Sequence, residues 1–123
     1  MTEPRRALIV DDNATNRVLA RALLVKLGWQ ADIVEDGATA LARASAIPYQ
    51  LILLDISMPG LSGLETCAAL RAAPRGGDLY IIAYTAHAFP EERREILTAG
   101  FDDIIVKPVN LQSMATAIQR YFP

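Results

Sequence analysis

Residues 49–63 read YQLILLDISMPGLSG. The unbroken apolar run Leu51-Ile52-Leu53-Leu54 ends abruptly in a carboxylate, Asp55, and a short loop with Pro59, Gly60 and Gly63 leads into a new helix. Four apolar residues without polar alternation suit a strand covered on both faces, as in a parallel sheet between helices. An acid at the carboxyl end of such a strand stands where open α/β sheets place their chemistry. The rest of the chain can therefore be read for partners of Asp55.

Outward from this stretch, the chain alternates strand and helix. Ala7-Leu8-Ile9-Val10 is a strand that also ends in acid, Asp11-Asp12, and Asn13 is a good N-cap for the helix after it. Leu19, Leu23 and Leu27 at four-residue spacing, with Val18, Ala22 and Val25 beside them, predict that helix's apolar face, and Gly28 ends it. A short strand over 31–34 carries Asp32, which suits an edge position. A helix from Asp36-Gly37 carries Ala38, Leu41, Ala42 and Ala44 and is broken by Pro48. Ser62 and Glu65 have capping-box spacing for a helix from 63 to about 73, and a turn over 74–77 follows. Leu79-Tyr80-Ile81-Ile82-Ala83 is a fourth strand delivering Thr85, and Pro90 opens a helix with Glu91 and Glu92 in its first turn, ending near Gly100. Ile104-Ile105-Val106 is a fifth strand ending in Lys107-Pro108. Asn110 caps a last helix with the stripe Leu111, Met114, Ala115, Ile118 and Phe122. Five strands alternating with five helices predict right-handed parallel crossovers and a three-layer α/β sandwich.

Bulk composition narrows the function classes. The chain has 123 residues, 52% hydrophobic and 21% charged, the proportions of a single globular domain over 1–123. A net charge of −2 leaves no basic footprint for nucleic acid. No apolar run approaches the roughly 18 residues of a membrane span, and Met1-Thr2-Glu3-Pro4-Arg5-Arg6 has no signal-peptide core. Cys67 is the single cysteine, which fits a reducing, cytoplasmic setting. His87 is the single histidine, so no His-based metal site or catalytic dyad is available, and an exposed loop position is expected for it.

Four of the five strands end in a group able to do chemistry: Asp11 and Asp12, Asp55, Thr85 and Lys107. All carboxyl ends of a parallel sheet share one edge, so these side chains should converge. Three carboxylates together raise one another's pKa unless a cation sits among them. Hard oxygen ligands without His or Cys point to Mg²⁺. A metal, an ammonium and a hydroxyl are what the oxygens of a phosphoryl group need around them. Asp55 is then the natural nucleophile, forming an aspartyl phosphate.

These motifs resemble those of response-regulator receiver domains: Val10-Asp11-Asp12-Asn13, Leu54-Asp55-Ile56-Ser57-Met58-Pro59-Gly60 with Gly63, Thr85-Ala86 and Lys107-Pro108. Each is weak alone, but together, in order and each at a strand end, they are specific. The resemblance spans nearly the whole chain and implies a flavodoxin-like (βα)5 sandwich with strand order 2-1-3-4-5. It implies that Asp55 accepts a phosphoryl group from a phosphohistidine. Asp12, Asp55 and the Ser57 carbonyl would bind Mg²⁺ directly, and Asp11 through water. Lys107 and Thr85 would contact the phosphoryl oxygens, with the backbone N–H groups of Ser57 and Ala86 as further donors. It also implies a cis Lys107-Pro108 bond and an output surface on the fourth helix, fifth strand and fifth helix. The partner would be a sensor histidine kinase or a histidine phosphotransfer domain, with no direct nucleic-acid or membrane contact. Asn13-Ala14-Thr15-Asn16 and Thr85-Ala86-His87-Ala88 resemble receivers attached to hybrid sensor kinases.

The chain also departs from the family pattern. Ile104 stands where members often carry the Tyr or Phe that swings inward on activation. Ser57 and His87 occupy the two variable positions that tune dephosphorylation, and Ser62, where Asp is frequent, reads as a helix cap. Singly, each site residue has a plain structural reading: Asp11 and Asp12 as helix caps, Asp55 as a solvated strand end, Thr85 as a loop hydroxyl, Lys107 as a surface charge. Cys67 is expected to be partly buried and inert, Trp29 to cover a core edge, and 91–95 to be a solvated helix face. A haloacid-dehalogenase-type phosphatase would need Asp where Ser57 stands. A flavodoxin-type cofactor site would need a Ser/Thr/Gly-rich loop where Asp11-Asp12 stands. A degenerate, unphosphorylated receiver fits poorly with the retained Asp12, Asp55, Thr85 and Lys107.

Overall fold

The alternating pattern folds as β1 (Arg6–Val10), α1 (Ala14–Lys26), β2 (Gln30–Val34), α2 (Gly37–Ala46), β3 (Leu51–Asp55), α3 (Gly63–Ala72), a 3-10 turn (Gly76–Asp78), β4 (Tyr80–Thr85), α4 (Pro90–Thr98), β5 (Asp103–Val106) and α5 (Leu111–Tyr121). The structure is a computed structural model that describes residues 5–58, 60–86 and 88–122. The expectations for His87 and for the first four residues therefore lie outside the described residues.

The five strands form one parallel sheet in the order β2-β1-β3-β4-β5, with β3 at its centre and the Asp32-bearing strand at one edge, as its acid predicts. In register, Ala7 lies between Ala31 and Leu51, Leu51 beside Tyr80, and Ile82 beside Asp103. Alternate residues feed two cores. Ala7, Ile9, Leu51, Leu53, Tyr80, Ile82, Tyr84 and Ile105 pack against Ala20 and Leu24 of α1 and Met114, Ala117 and Ile118 of α5. Leu8, Val10, Ile52, Leu54, Ile81 and Ala83 pack against Ala40 of α2, Cys67 and Leu70 of α3 and Ile96 of α4. Burial of both faces is why the central strands read as continuous apolar runs.

Local signals set the helix starts. The side chains of Asn13, Asp36, Ser62 and Asn110 each accept the N–H three residues on, and Ser62 forms the expected capping box with Glu65. Pro90 takes the first position of α4. Gly28 closes α1 at φ +91°, in the left-handed region that Gly enters freely. The Lys107-Pro108 bond is cis, as the resemblance implies.

The inward face of α1 is not the predicted one. Ala20 and Leu24 are buried with Leu23 and Leu27 beside them, whereas Val18 (64% exposed), Leu19 and Val25 face outward. Apolar residues surround much of this helix, so spacing alone could not choose the stripe, and the small Ala20 allows closer approach to the sheet. In α2 likewise Gly37 and Ala40 are the buried positions, while Ala38 and Ala42 are exposed. Met114, Ala117 and Ile118 are the buried residues of α5, with Leu111 and Ala115 only half-buried. Cys67 is more deeply buried than expected, and that burial pushes its thiol up to about 11, which keeps it inert. Trp29 is buried at the core edge, edge-on to Phe122.

Candidate functional site

Strand alternation carries Asp11 and Asp55 onward in the rows of Ala7-Ile9 and Leu51-Leu53, so both point to the α1 and α5 side of the sheet's carboxyl edge. Both are buried, Asp55 to 2% exposure, while Asp12 is exposed at the start of the loop before α1. One carboxylate oxygen from each of the three lies within 4.8 Å of the others. The loop just after β5 brings a cation to two of them: Lys107 Nζ lies 3.3 Å from Asp55 Oδ2 and 3.6 Å from Asp11 Oδ2.

The backbone holds this cluster rigidly. The Ser57 N–H donates to Asp55 Oδ1 at 3.0 Å, and the Asn13 N–H to Asp11 Oδ1 at 2.9 Å. Arg17, one turn into α1, donates to the Asp11 carbonyl at 2.8 Å. The Lys107 N–H donates to the Thr85 carbonyl at 2.7 Å, which ties the end of β5 to buried Thr85 at the end of β4. Gly63 lets α3 begin hard against the end of β3, because a Cβ there would collide with the Asp55 carbonyl and Ile56 Cα. Ser57 and Ala86 are both exposed at the rim.

The electrostatics are unbalanced. Burial pushes the Asp55 carboxyl up to about 6, and the neighbouring Asp11 charge adds to the rise; the Ser57 N–H and the Lys107 ammonium oppose it. Asp11 Oδ2 is buried with no hydrogen-bond partner and only the ammonium at 3.6 Å beside it. One ammonium cannot offset three carboxylates, so an incoming phosphoryl group would be repelled. A small divalent cation removes that obstacle: the donors are all hard oxygens and one is an orphan, which fits Mg²⁺.

The structure thus brings Asp11, Asp12, Asp55 and Lys107 together and sets Thr85, Ser57 and Ala86 on the loops around them. Ile104 packs, half-buried, in the opposite core beneath α3 and α4. Sequence reasoning passed over Tyr84, whose ring lies under Lys107 Nζ with its centroid 4.7 Å away. Its period-two relation to Ile82, on the side of Asp55, was the available signal, but it was masked by reading the strand only for burial.

The family model of the response regulator receiver domain matches residues 7–119, and the chain belongs to that family. It is a receiver domain of two-component signal transduction. Over 87% of its length it is 41% identical to hybrid signal transduction histidine kinase I of Dictyostelium discoideum, and over 94% it is 34% identical to the signal transduction histidine-protein kinase BarA of Escherichia coli K12. It spans only 7% and 13% of those two proteins. Among solved structures, Vibrio cholerae chemotaxis protein CheY4 superposes with a TM-score of 0.91 at 28% identity, covering 96% of this chain and 98% of that one. The receiver domain of sensor histidine kinase PA1611 from Pseudomonas aeruginosa PAO1 superposes with a TM-score of 0.88 at 33% identity, covering 97% and 98%. That structure has a magnesium ion coordinated in its active-site cleft. No helix among the described residues is long and apolar enough to cross a membrane.

Proposed function

We propose that this receiver, one domain over 1–123, takes a phosphoryl group from a phosphohistidine onto Asp55 and changes its α4-β5-α5 surface in response. The observation that carries the reading is Asp55 itself: a buried carboxylate at the end of the central strand, 3.3 Å from the Lys107 ammonium, with two further carboxylates in reach. In the transfer an Asp55 carboxylate oxygen forms the new O–P bond. The P–N bond to the donor histidine breaks, its electron pair returns to the imidazole, and the ring then takes up a proton.

Asp12, Asp55 and the Ser57 carbonyl would hold Mg²⁺ directly and Asp11 through water. When bound, the ion neutralises the carboxylates and the incoming phosphoryl oxygens. Lys107 sits to pair with one phosphoryl oxygen as the P–N bond breaks. Thr85 supplies a hydroxyl donor, and the N–H groups of Ser57 and Ala86 supply two more. The small side chain of Ala86 leaves the entrance clear. With Ile104 in place of an aromatic, transmission runs through the Thr85 and Lys107 loops, biasing a minor active arrangement of the last two strand-helix units.

The donor is a sensor histidine kinase or a histidine phosphotransfer domain, and the setting is cytoplasmic, without direct nucleic-acid or membrane contact by this domain. The kinship with histidine kinases and the metal-bearing PA1611 receiver support this reading. Incubation with Mg²⁺ and acetyl phosphate should add one phosphoryl group, seen by intact-mass spectrometry. Asp55→Asn should add none, and Lys107→Ala should keep the fold while weakening output. No uptake by the wild type, or equal uptake by Asp55→Asn, would sink the reading.

A further inference from the structure

We propose that Tyr84 is a positioning residue for Lys107, its ring forming the seat that holds the ammonium against Asp55. This inference rests on the function proposed for Lys107 above. Tyr84 is paired in register with Asp55 on one side and Ile105 on the other, and its side chain continues the row of Tyr80 and Ile82. Asp55 and Tyr84 therefore stand side by side on one face of two adjacent strands, and Lys107 follows two residues after Ile105, just beyond the end of β5. The ring is held from two sides: its backbone lies in the sheet, and its side chain is buried in the core beneath α1 and α5. At 1% exposure it has no room to turn aside.

Lys107 Nζ meets the face of this ring at 4.7 Å while lying 3.3 Å from Asp55 Oδ2 and 3.6 Å from Asp11 Oδ2. A lysine ammonium is a point charge on a flexible four-carbon stem, free to swing unless something limits it. With its side chain 21% exposed, Lys107 could reach into solvent or settle on Asp11 alone. The negative face of an aromatic ring attracts a partly desolvated cation. A π-face below and two carboxylates above leave the ammonium one position, within reach of the Asp55 oxygen that would carry the phosphoryl group. An aliphatic side chain at 84 would fill the space without offering that attraction.

The chain contains two lysines, Lys26 and Lys107, and Lys26 is exposed, so lysine-selective ¹³C labelling gives two resolvable signals with a built-in reference. In the wild type the Lys107 methylene protons nearest Nζ should be shifted upfield of those of Lys26 by the ring current. Tyr84→Phe should keep that shift and Tyr84→Leu should lose it. Phosphoryl uptake from acetyl phosphate with Mg²⁺ should slow roughly three- to tenfold in Tyr84→Leu and recover in Tyr84→Phe. In a Lys107→Ala background, Tyr84→Leu should slow uptake no further. Unshifted Lys107 protons in the wild type overturn the proposal, as does equal slowing by Tyr84→Leu with and without Lys107. If Tyr84→Leu does not fold, the wild-type and Tyr84→Phe spectra decide alone. The spectra need no phosphoryl transfer, so a failed seat is told apart from a failed phosphoacceptor reading.

Discussion

The two ends of the sheet are built from the same kinds of residue and treat them in opposite ways. At the amino end Arg71, Asp102 and Asp103 are each matched by a partner of opposite charge. Arg71 donates to the carbonyls of Gly76 (2.6 Å), Leu79 (2.7 Å) and Gly100 (2.9 Å) and to Asp102 (2.5 Å), while Asp102 also accepts the Ile81 N–H at 2.9 Å. The Tyr80 hydroxyl lies 3.0 Å from both Asp103 and the Ala117 carbonyl, and Arg120 caps Asp103 at 2.9 Å. At the carboxyl end three carboxylates cluster beside one lysine that pairs with two of them, and one buried oxygen of Asp11 has no hydrogen bond. Satisfied polar groups fix a fold. Unsatisfied ones are left for a ligand, which on the proposed function is a cation together with a phosphoryl group. The amino end should therefore govern stability and the carboxyl end chemistry, with little crossing over.

Breaking the matched end should have the largest effect on stability. Arg71→Ala strips partners from three carbonyls and from Asp102 at once, joining the end of α3 to neither the 3-10 turn nor the start of β5. A loss of about 3 kcal/mol is expected, because hydrogen bonds to charged groups are worth more than neutral ones and their acceptors are left part-buried. Urea denaturation measures it. The rate of phosphoryl uptake per folded molecule should be unchanged, and a fall in that rate would mean the two ends are coupled.

Loading the unmatched end should act in the other direction. Mg²⁺ at about a hundredfold over its Kd should stabilise the wild type by about 2.7 kcal/mol through mass action. Asp12→Asn should lose most of that gain. Arg71→Ala should show it in full, because distant, independent sites add. A thermal or urea midpoint that ignores Mg²⁺ in the wild type would show that the carboxylate cluster has no metal to answer for.

The difference between the ends also explains what the sequence makes legible. Asp11, Asp12, Asp55, Thr85 and Lys107 stand out because each interrupts or follows an apolar strand, and a parallel sheet turns that one-dimensional position into convergence in space. The strand boundaries followed for the same reason; β4 simply continues through Thr85 itself. Arg71 could not be read this way, since most of its partners are backbone carbonyls, which look alike in any sequence. Tyr84 was hidden among apolar neighbours, where an aromatic is first a core residue. The predicted face of α1 was wrong because apolar residues lie on both candidate stripes, and only the sheet selects Ala20 and Leu24 over Leu19 and Val18.

The smallest effect, and the sharpest on the unmatched end, is the pH dependence of the metal-free protein. Burial and Asp11 hold the folded-state Asp55 carboxyl at about 6, above the usual value of 3.8. Between those two values the folded state binds more protons than the unfolded chain, so this group's contribution is fully present below about pH 4 and is lost as pH rises through 6. The expected loss is on the order of 1–2 kcal/mol, since solvent reaching the cleft and relaxation around it reduce the full effect. Asp55→Asn keeps the shape, carries no charge and cannot titrate. Its urea midpoint should therefore exceed the wild type's near pH 7 and approach it near pH 4, with Mg²⁺ closing the gap from the wild-type side. Equal midpoints across that range would mean that Lys107 alone balances Asp55, and that the unmatched end is matched after all.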